Sequence, residues 1–172
     1  VLMSADVTNA FNPLGSVRDL VLSQDSSSVE YVLYDVPYPY SFYGSDDGFA
    51  SFDNVAIESP VMTDLQLRID DEESARAKEE LRLTNGEADH RHVSNIIGAD
   101  ISFPEENRTT KEIENLLINR KNGRVTHFVI EMDNDSLFSE APRAIPADRV
   151  DIDERGRMST RLSYNEVDDM QE

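Results

Sequence analysis

The fold is decided by VRDLVLSQDSSSVEYVLYDV, residues 17–36, because a second stretch of the same length repeats its pattern. That second stretch is IENLLINRKNGRVTHFVIEM, residues 113–132, and the two align without a gap, 96 residues apart. Only two positions are identical, yet apolar and polar residues agree almost throughout, with Tyr31 opposite His127 as the exception. Since buried positions tolerate exchange among apolar residues, the pattern predicts two copies of one unit.

The repeat continues on both sides of these blocks. Upstream, ADV at 5–7 parallels ADI at 99–101. Downstream, DNVAI at 53–57 parallels DRVDI at 148–152. Three blocks in the same order, at offsets of 94 to 96 residues, favour a true internal repeat over a chance likeness of two apolar segments.

Each copy has the pattern of a β-hairpin followed by shorter strands. The turns are SQDSSS and NRKNG, and the Asn-Gly pair of the second favours a tight hairpin. The return strands are rich in β-branched and aromatic residues, which suit half-buried strand positions. At 157–164, RMSTRLSY alternates apolar and polar residues and predicts a further strand. Five or so short strands per copy predict a small closed or nearly closed barrel.

Between the copies, DDEESARAKEELRL predicts a helix of about three turns. Acidic residues crowd its first turn, where the helix dipole favours them, and Asn85-Gly86 is a typical end signal. The predicted fold class is therefore mainly β. Two tandem small barrels, residues 1–69 and 93–172, are joined by a short α-helical linker over residues 70–92.

The hairpin blocks resemble the PRC-barrel family. The resemblance is carried by GSVRDLVLSQDSSSVEYVLYDV at 15–36, and in the second copy by NRKNGRVTHFVIEM followed by RAIPADRVDID, with the family's proline at Pro146. Two positions depart from the family pattern. Lys111 stands where the family has a glycine, and Phe52 lies near the position of its proline.

The resemblance implies a binding module and no catalytic residues. The PRC-barrel family includes the cytoplasmic part of the photosynthetic reaction-centre H chain, a domain of a ribosome maturation factor, and many stand-alone proteins. The ribosomal role fits poorly with an acidic chain. We therefore expect a cytoplasmic, bacterial, non-catalytic protein-interaction or scaffold module. The alternative is a small-ligand or cation-binding module with its site between the two barrels.

The net charge of −19 narrows the range of partners. Nucleic acid and anionic membrane surfaces are disfavoured, because binding to them depends on Lys and Arg. A basic protein or cations would be attracted. The acidity comes from 19 Asp and 16 Glu against 13 Arg and 3 Lys, and such a lysine-poor acidic surface predicts adaptation to high salt, where like charges are screened.

The chain has no cysteine, which excludes disulfides, thiolate zinc sites and cysteine nucleophiles. No apolar run approaches the roughly 20 residues that span a bilayer, so we expect no membrane insertion. The chain begins at Val1 and not at a methionine, which leaves open whether a signal or anchor precedes it.

The candidate interaction loop follows the first hairpin, in YDVPYPYSFYG. Tyr38, Tyr40, Phe42 and Tyr43 are concentrated there, and two prolines stiffen the backbone. Aromatic side chains with a low ordering cost are typical interface anchors, so this loop predicts a protein partner or self-association, including a homodimer. The alternative is that the same side chains, together with Tyr34, cover the open end of their own barrel.

The remaining polar clusters are interpreted as structural, and no metal, cofactor or catalytic residue is predicted. His90 and His92 in DHRH could form a metal clip, but a solvated linker is favoured because a third ligand is not evident. His127 is expected to be half-buried and hydrogen-bonded. DNDS at 133–136 lacks the glycine and distal glutamate of a calcium loop, so a polar loop is favoured, and SDDG at 45–48 is interpreted in the same way.

Overall fold

The computed structural model describes residues 3, 5–9, 12–35, 47–57, 64–67, 71–83, 91–104, 110–132 and 141–170. The strands of the first half are β1 (Asp6–Asn9), β2 (Asn12–Leu22), β3 (Val29–Asp35), β4 (Asp47–Ser51), β5 (Val55–Ala56) and β6 (Asp64–Leu67). Those of the second half are β7 (Asp100–Ser102), β8 (Thr110–Ile118), β9 (Val125–Met132), β10 (Ala141–Pro146), β11 (Val150–Ile152) and β12 (Met158–Thr160). The α-helices are α1 (Asp71–Leu83), α2 (Val93–Ile96) and α3 (Tyr164–Asp168).

The twelve strands form two six-stranded sheets with the same strand order. That order is β4-β3-β2-β1-β6-β5 in the first sheet and β10-β9-β8-β7-β12-β11 in the second. The pairs β1–β6 and β7–β12 are parallel, and the other pairs are antiparallel. The predicted mainly β fold is confirmed. Within the described residues no ladder joins the two ends of either sheet, so neither sheet is closed, and the arrangement as two nearly closed barrels stays a prediction.

Each sheet is built around one long strand, and the two long strands carry a bulge at matching positions. β2 pairs with β1 through its first half and with β3 through its second half, and β8 is shared between β7 and β9 in the same way. At the bulge, Asp19 Oδ1 accepts the backbone N–H of Leu20 at 2.8 Å, and Asn115 Oδ1 accepts that of Leu116 at 2.9 Å. In both sheets a short polar side chain therefore satisfies an amide that the bulge removes from the ladder.

A bulge between β1 and β2 has no counterpart between β7 and β8 among the paired residues described. The β1–β2 register shifts beside Val7, where Gly15 pairs, and Gly15 has a φ of 149°, which side-chain-bearing residues rarely adopt. The β7–β8 pairing is regular at its counterpart, Lys111. The lysine that departs from the family's glycine thus lies where no bulge requires one.

The two sheets meet through their hairpin turns. Ser28 and Arg124, which are 96 residues apart, form an antiparallel bridge. On either side of it, Val29 N–H donates to Gly123 O and Val125 N–H donates to Ser27 O, both at 2.9 Å. Exchanging the two halves exchanges these two hydrogen bonds, so the contact has local twofold symmetry. One continuous apolar core includes residues from both sheets.

Helix α1 packs on the outer face of the first sheet. Ser74 Oγ accepts the backbone N–H of Phe49 on β4 at 3.2 Å, and the Lys78 ammonium lies 5.2 Å from the centre of the Phe49 ring. Ala77 joins Val21 and Tyr31 in a second, smaller apolar cluster. The helix predicted between the copies is present over 71–83, and it is anchored to the sheet through one face.

The strand predicted over 157–164 is wrong beyond Thr160. Chain direction changes there, and α3 begins at Tyr164 with Ser163 as its N-cap. Ser163 Oγ accepts the N–H of Glu166 at 3.3 Å, while the Glu166 carboxylate accepts the N–H of Ser163 at 2.8 Å. The sequence contains this capping box as Ser-x-x-Glu, which predicts the start of a helix. The alternation of Leu162 and Tyr164 favoured a strand over the same residues.

Candidate functional site

The aromatic residues predicted for the interaction loop, Tyr38, Tyr40, Phe42 and Tyr43, lie outside the described residues, so their role stays a prediction. Tyr34, which precedes them, is buried in β3 as part of the core. Its ring lies over Gly48, where an added Cβ would be 2.2 Å from a ring carbon. Tyr34 is therefore a packing residue whose position requires a glycine on the neighbouring strand.

His92 packs on the first sheet, so a solvated position is wrong for it. Its Nδ1 lies 2.9 Å from Asp19 Oδ2, and its backbone bridges to Val21. Arg91 beside it is buried, and its guanidinium donates to Leu22 O at 2.7 Å. His90 lies outside the described residues.

Asp19, His92 and Ser94 form a hydrogen-bonded cluster that does not have the geometry of a nucleophilic triad. Ser94 Oγ donates to Asp19 Oδ2 at 2.6 Å, the same oxygen that His92 Nδ1 contacts, and Ser94 N–H donates to Oδ1 at 3.1 Å. In a triad the serine hydroxyl bonds to the imidazole and not to the carboxylate. Here the buried carboxylate fastens the start of α2 to β2.

The polar clusters considered for metals give no site in the described part of the chain, where no group of three or more His, Asp or Glu side chains converges. Residues 133–136 lie outside that part. Of the 45–48 cluster, Asp47 and Gly48 are described, and the carboxylate of Asp47 pairs with Arg18 on β2. Asp47 is thus engaged in an ion pair across the sheet.

The outer faces of the two sheets are covered differently. On the first sheet Val21, Tyr31 and Phe49 are buried beneath α1. Their counterparts on the second sheet are Leu117, His127 and Ala144. The side chain of Leu117 is 44% exposed, whereas Val21 is fully buried.

His127 is half-buried, as expected, but one ring nitrogen is not hydrogen-bonded as predicted. Its Nδ1 is buried and has no hydrogen-bond partner among the described residues. Tyr31 occupies the matching place on the first sheet, where burial beneath α1 raises the pKa of its hydroxyl. The one position at which the repeat pattern breaks is therefore the position at which the two outer faces differ in chemistry.

A cavity of about 260 Å³ lies where the two sheets meet. Its floor is apolar and consists of Val125, Phe128, Ala147, Val150 and Ile152. Its rim is polar and consists of Asp25, Ser26, Ser27, Arg124, Asp148 and Arg161. Most of the rim side chains are exposed, so the cavity is reached from solvent.

The cavity exists because the local twofold symmetry is broken by two residue exchanges. On the filled side, the Phe52 ring packs against Gly123, where an added Cβ would be 2.8 Å from it. On the open side, Ala147 takes the place of Phe52 and Ser27 takes the place of Gly123. The phenyl group that Phe52 supplies on one side is missing on the other, and its space is left partly open beside the side chain of Ser27.

Two of the charged side chains on the rim are hydrogen-bonded to other residues of the chain. Asp25 Oδ1 accepts the hydroxyls of Ser23 and Ser27 at 2.6 and 2.8 Å, and these hydrogen bonds lower the pKa of the Asp25 carboxyl. Arg161 makes two hydrogen bonds to the carboxylate of Asp151, at 2.9 and 2.6 Å. Asp25 is thus anionic at neutral pH, and Arg161 is neutralised by its own partner.

Sequence reasoning missed the cavity because it compared the copies for likeness. The deciding positions are the unlike ones, Phe52 against Ala147 and Gly123 against Ser27. Both exchanges are visible once the repeat is aligned. A large-to-small exchange at an interface between repeats is the signal that could have located the cavity.

The chain matches no protein-family model and no curated protein. The PRC-barrel resemblance therefore stays a prediction. None of the helices in the described ranges has the length and apolar character needed to cross a bilayer.

Proposed function

We propose that this chain is a non-catalytic scaffold of two tandem PRC-barrel-like units that binds a protein partner through its second unit. The proposal is supported by two sheets of identical strand order, with matched bulges and a symmetric contact between them. It is also supported by the PRC-barrel resemblance, whose members are binding modules.

The observation that carries the proposal is that, among the described residues, the outer face of the second sheet is less buried than that of the first. On the first sheet the same face is buried beneath α1, whose Ala77 lies against Val21. On the second sheet Leu117 is exposed, and Val129 and Ala144 beside it are only partly buried. Burial of such apolar area contributes about 25 cal/mol per Å², which makes this face a favourable docking surface.

The expected partner is an amphipathic helix from another protein. Its placement would match that of α1, with small apolar residues directed at Leu117. The net charge of −19 favours basic residues on the polar side of that helix.

The test is photo-cross-linking from position 117. A photoreactive amino acid replaces Leu117, and a matched control carries it at Glu154, an exposed turn residue of the same half. We expect adducts at position 117, absent from position 154, whose partner peptides map to an amphipathic helix. Adducts that map to this same chain would make the face a self-association surface. Equal labelling from both positions would contradict the proposal.

The aromatic loop is a separate prediction with its own measurement. If Tyr38 and Tyr40 anchor self-association, light scattering will give a dimer for the native chain and a folded monomer for the Tyr38→Ser/Tyr40→Ser variant. An unchanged mass would assign the loop to packing within one chain or to a different partner.

A further inference from the structure

The cavity between the sheets supports a role apart from binding a protein partner. This role develops the ligand-binding alternative that the sequence leaves open. The local twofold symmetry creates two equivalent positions beside the Ser28–Arg124 bridge. The chain itself fills one of them with the phenyl ring of Phe52. The occupied position therefore shows that a phenyl group suits the apolar floor at this place, while Ser27 narrows the open position where the filled one has Gly123.

The open position offers an apolar floor. Val125 and Phe128 are almost fully buried in the core, and Ile152 is partly buried. At about 260 Å³ the space accommodates a single aromatic ring with a short substituent. Ala147 borders this space at the place from which Phe52 projects on the other side.

The rim favours a positive charge. The carboxylates of Asp25 and Asp148 are both exposed at its edge. Arg161 is bound to Asp151, and Arg124 forms no ion pair with any residue that the structure describes. The rim therefore has two exposed carboxylates and one guanidinium, that of Arg124, without an ion pair to a described residue. The net charge of −19 also attracts cations and repels anions.

We propose that this cavity binds a small aromatic amine. Its ring lies over the floor at Ala147 and Ile152, in the space that Phe52 fills on the other side, and its ammonium group faces Asp25 and Asp148. This site is distinct from the Leu117 face, so failure of one proposal leaves the other intact.

The experiment uses two probes of equal size and opposite charge, 2-phenylethylamine and phenylacetate. Each is titrated into the full chain at low salt while amide and methyl NMR shifts are recorded. We expect 2-phenylethylamine to shift Ala147, Val150 and Ile152 with a Kd of about 1 mM, a typical affinity for a ligand of this size. Phenylacetate should bind at least about threefold more weakly, and added salt should reduce this difference.

Two variants make the result specific to the cavity. Ala147→Phe places a phenyl group in the cavity and should weaken amine binding by about tenfold or more. Because this variant also changes the core, its fold is checked by its NMR spectrum. Asp148→Asn alters an exposed side chain and should weaken the amine about two- to fivefold without weakening phenylacetate.

Several outcomes would overturn the proposal. They are equal affinity for the two probes, absence of saturable shifts at the cavity residues, and native-like amine binding by folded Ala147→Phe. If Ala147→Phe does not fold, Asp148→Asn decides. Unchanged amine affinity in that variant overturns the proposal, and selective loss supports it.

Discussion

The two sheets have the same strand order and the same central bulge, but they differ in what covers them. The first sheet buries its outer face beneath α1 and is fastened to the 91–94 segment through Asp19. The second has Asn115 at the matching bulge, where that residue is exposed, and leaves Leu117 open. Where the sheets meet, Phe52 fills one position and Ala147 leaves the other open.

Residues that the two halves share maintain the fold, whereas residues that differ leave the two outer faces and the two sides of the contact unequally filled. Positions that pack alike keep an apolar residue in both copies, because loss of buried volume is costly. The candidate sites are therefore found by comparing the two halves position by position and locating the residues that differ.

The largest expected effect comes from removing the phenyl group that fills the closed position. Phe52→Ala should cost about 3–5 kcal/mol of unfolding free energy, since it creates a second cavity next to Gly123. Ala147→Phe should cost less, about 1–3 kcal/mol, because its phenyl group enters existing space but meets the side chain of Ser27 where Phe52 meets a glycine. Chemical denaturation measures both values. Similar costs for the two variants would show that the positions are not equivalent.

The next effect concerns the two bulge residues. Asp19→Ala should cost about 2–4 kcal/mol, because it leaves the amide of Leu20 and the donors of Ser94 without their buried acceptor. Asn115→Ala removes one hydrogen bond at an exposed site and should cost less than about 1 kcal/mol. Denaturant midpoints compare the pair, and equal losses would contradict the anchoring role of Asp19.

These contrasts also show what the sequence could and could not predict. The hairpins and the α1 helix follow from periodicity and turn signals, which are local properties of the chain. The role of His92 depends on Asp19, which is 73 residues away, so no local pattern reveals it. The predicted last strand is too long. Leu162 and Tyr164 continue the apolar–polar alternation of a strand, but Leu162 lies in the bend after β12 and Tyr164 begins α3.

A smaller effect is expected from salt, which acts on the charge that both halves share. Screening reduces repulsion within a chain of net charge −19, so the Tm should rise as KCl is added to molar concentration. Thermal melts followed by circular dichroism measure this rise. A Tm that stays constant or falls would remove salt adaptation as the reason for the acidic composition.

The smallest effect is expected from acid. Hydrogen bonds from Ser23 and Ser27 lower the pKa of Asp25, and those from the backbone and side chain of Ser163 lower the pKa of Glu166. A lowered folded-state pKa contributes stability that is present above the unfolded value and is lost as the pH falls through the folded one. Unfolding free energy should therefore decline below about pH 4. Asp25→Asn should make this decline shallower, whereas a slope unchanged in that variant would contradict the assignment.

The unequal covering of the two sheets is tested most directly by thiol labelling, because the native chain has no cysteine. Val21→Cys and Leu117→Cys each introduce one thiol at matching positions of the two outer faces. We predict that Cys at 117 reacts within about tenfold of the rate in denaturant, and that Cys at 21 reacts more than about 100-fold slower, since α1 must open first. Equal rates in the folded protein would contradict the account, because both faces would then be covered or both open.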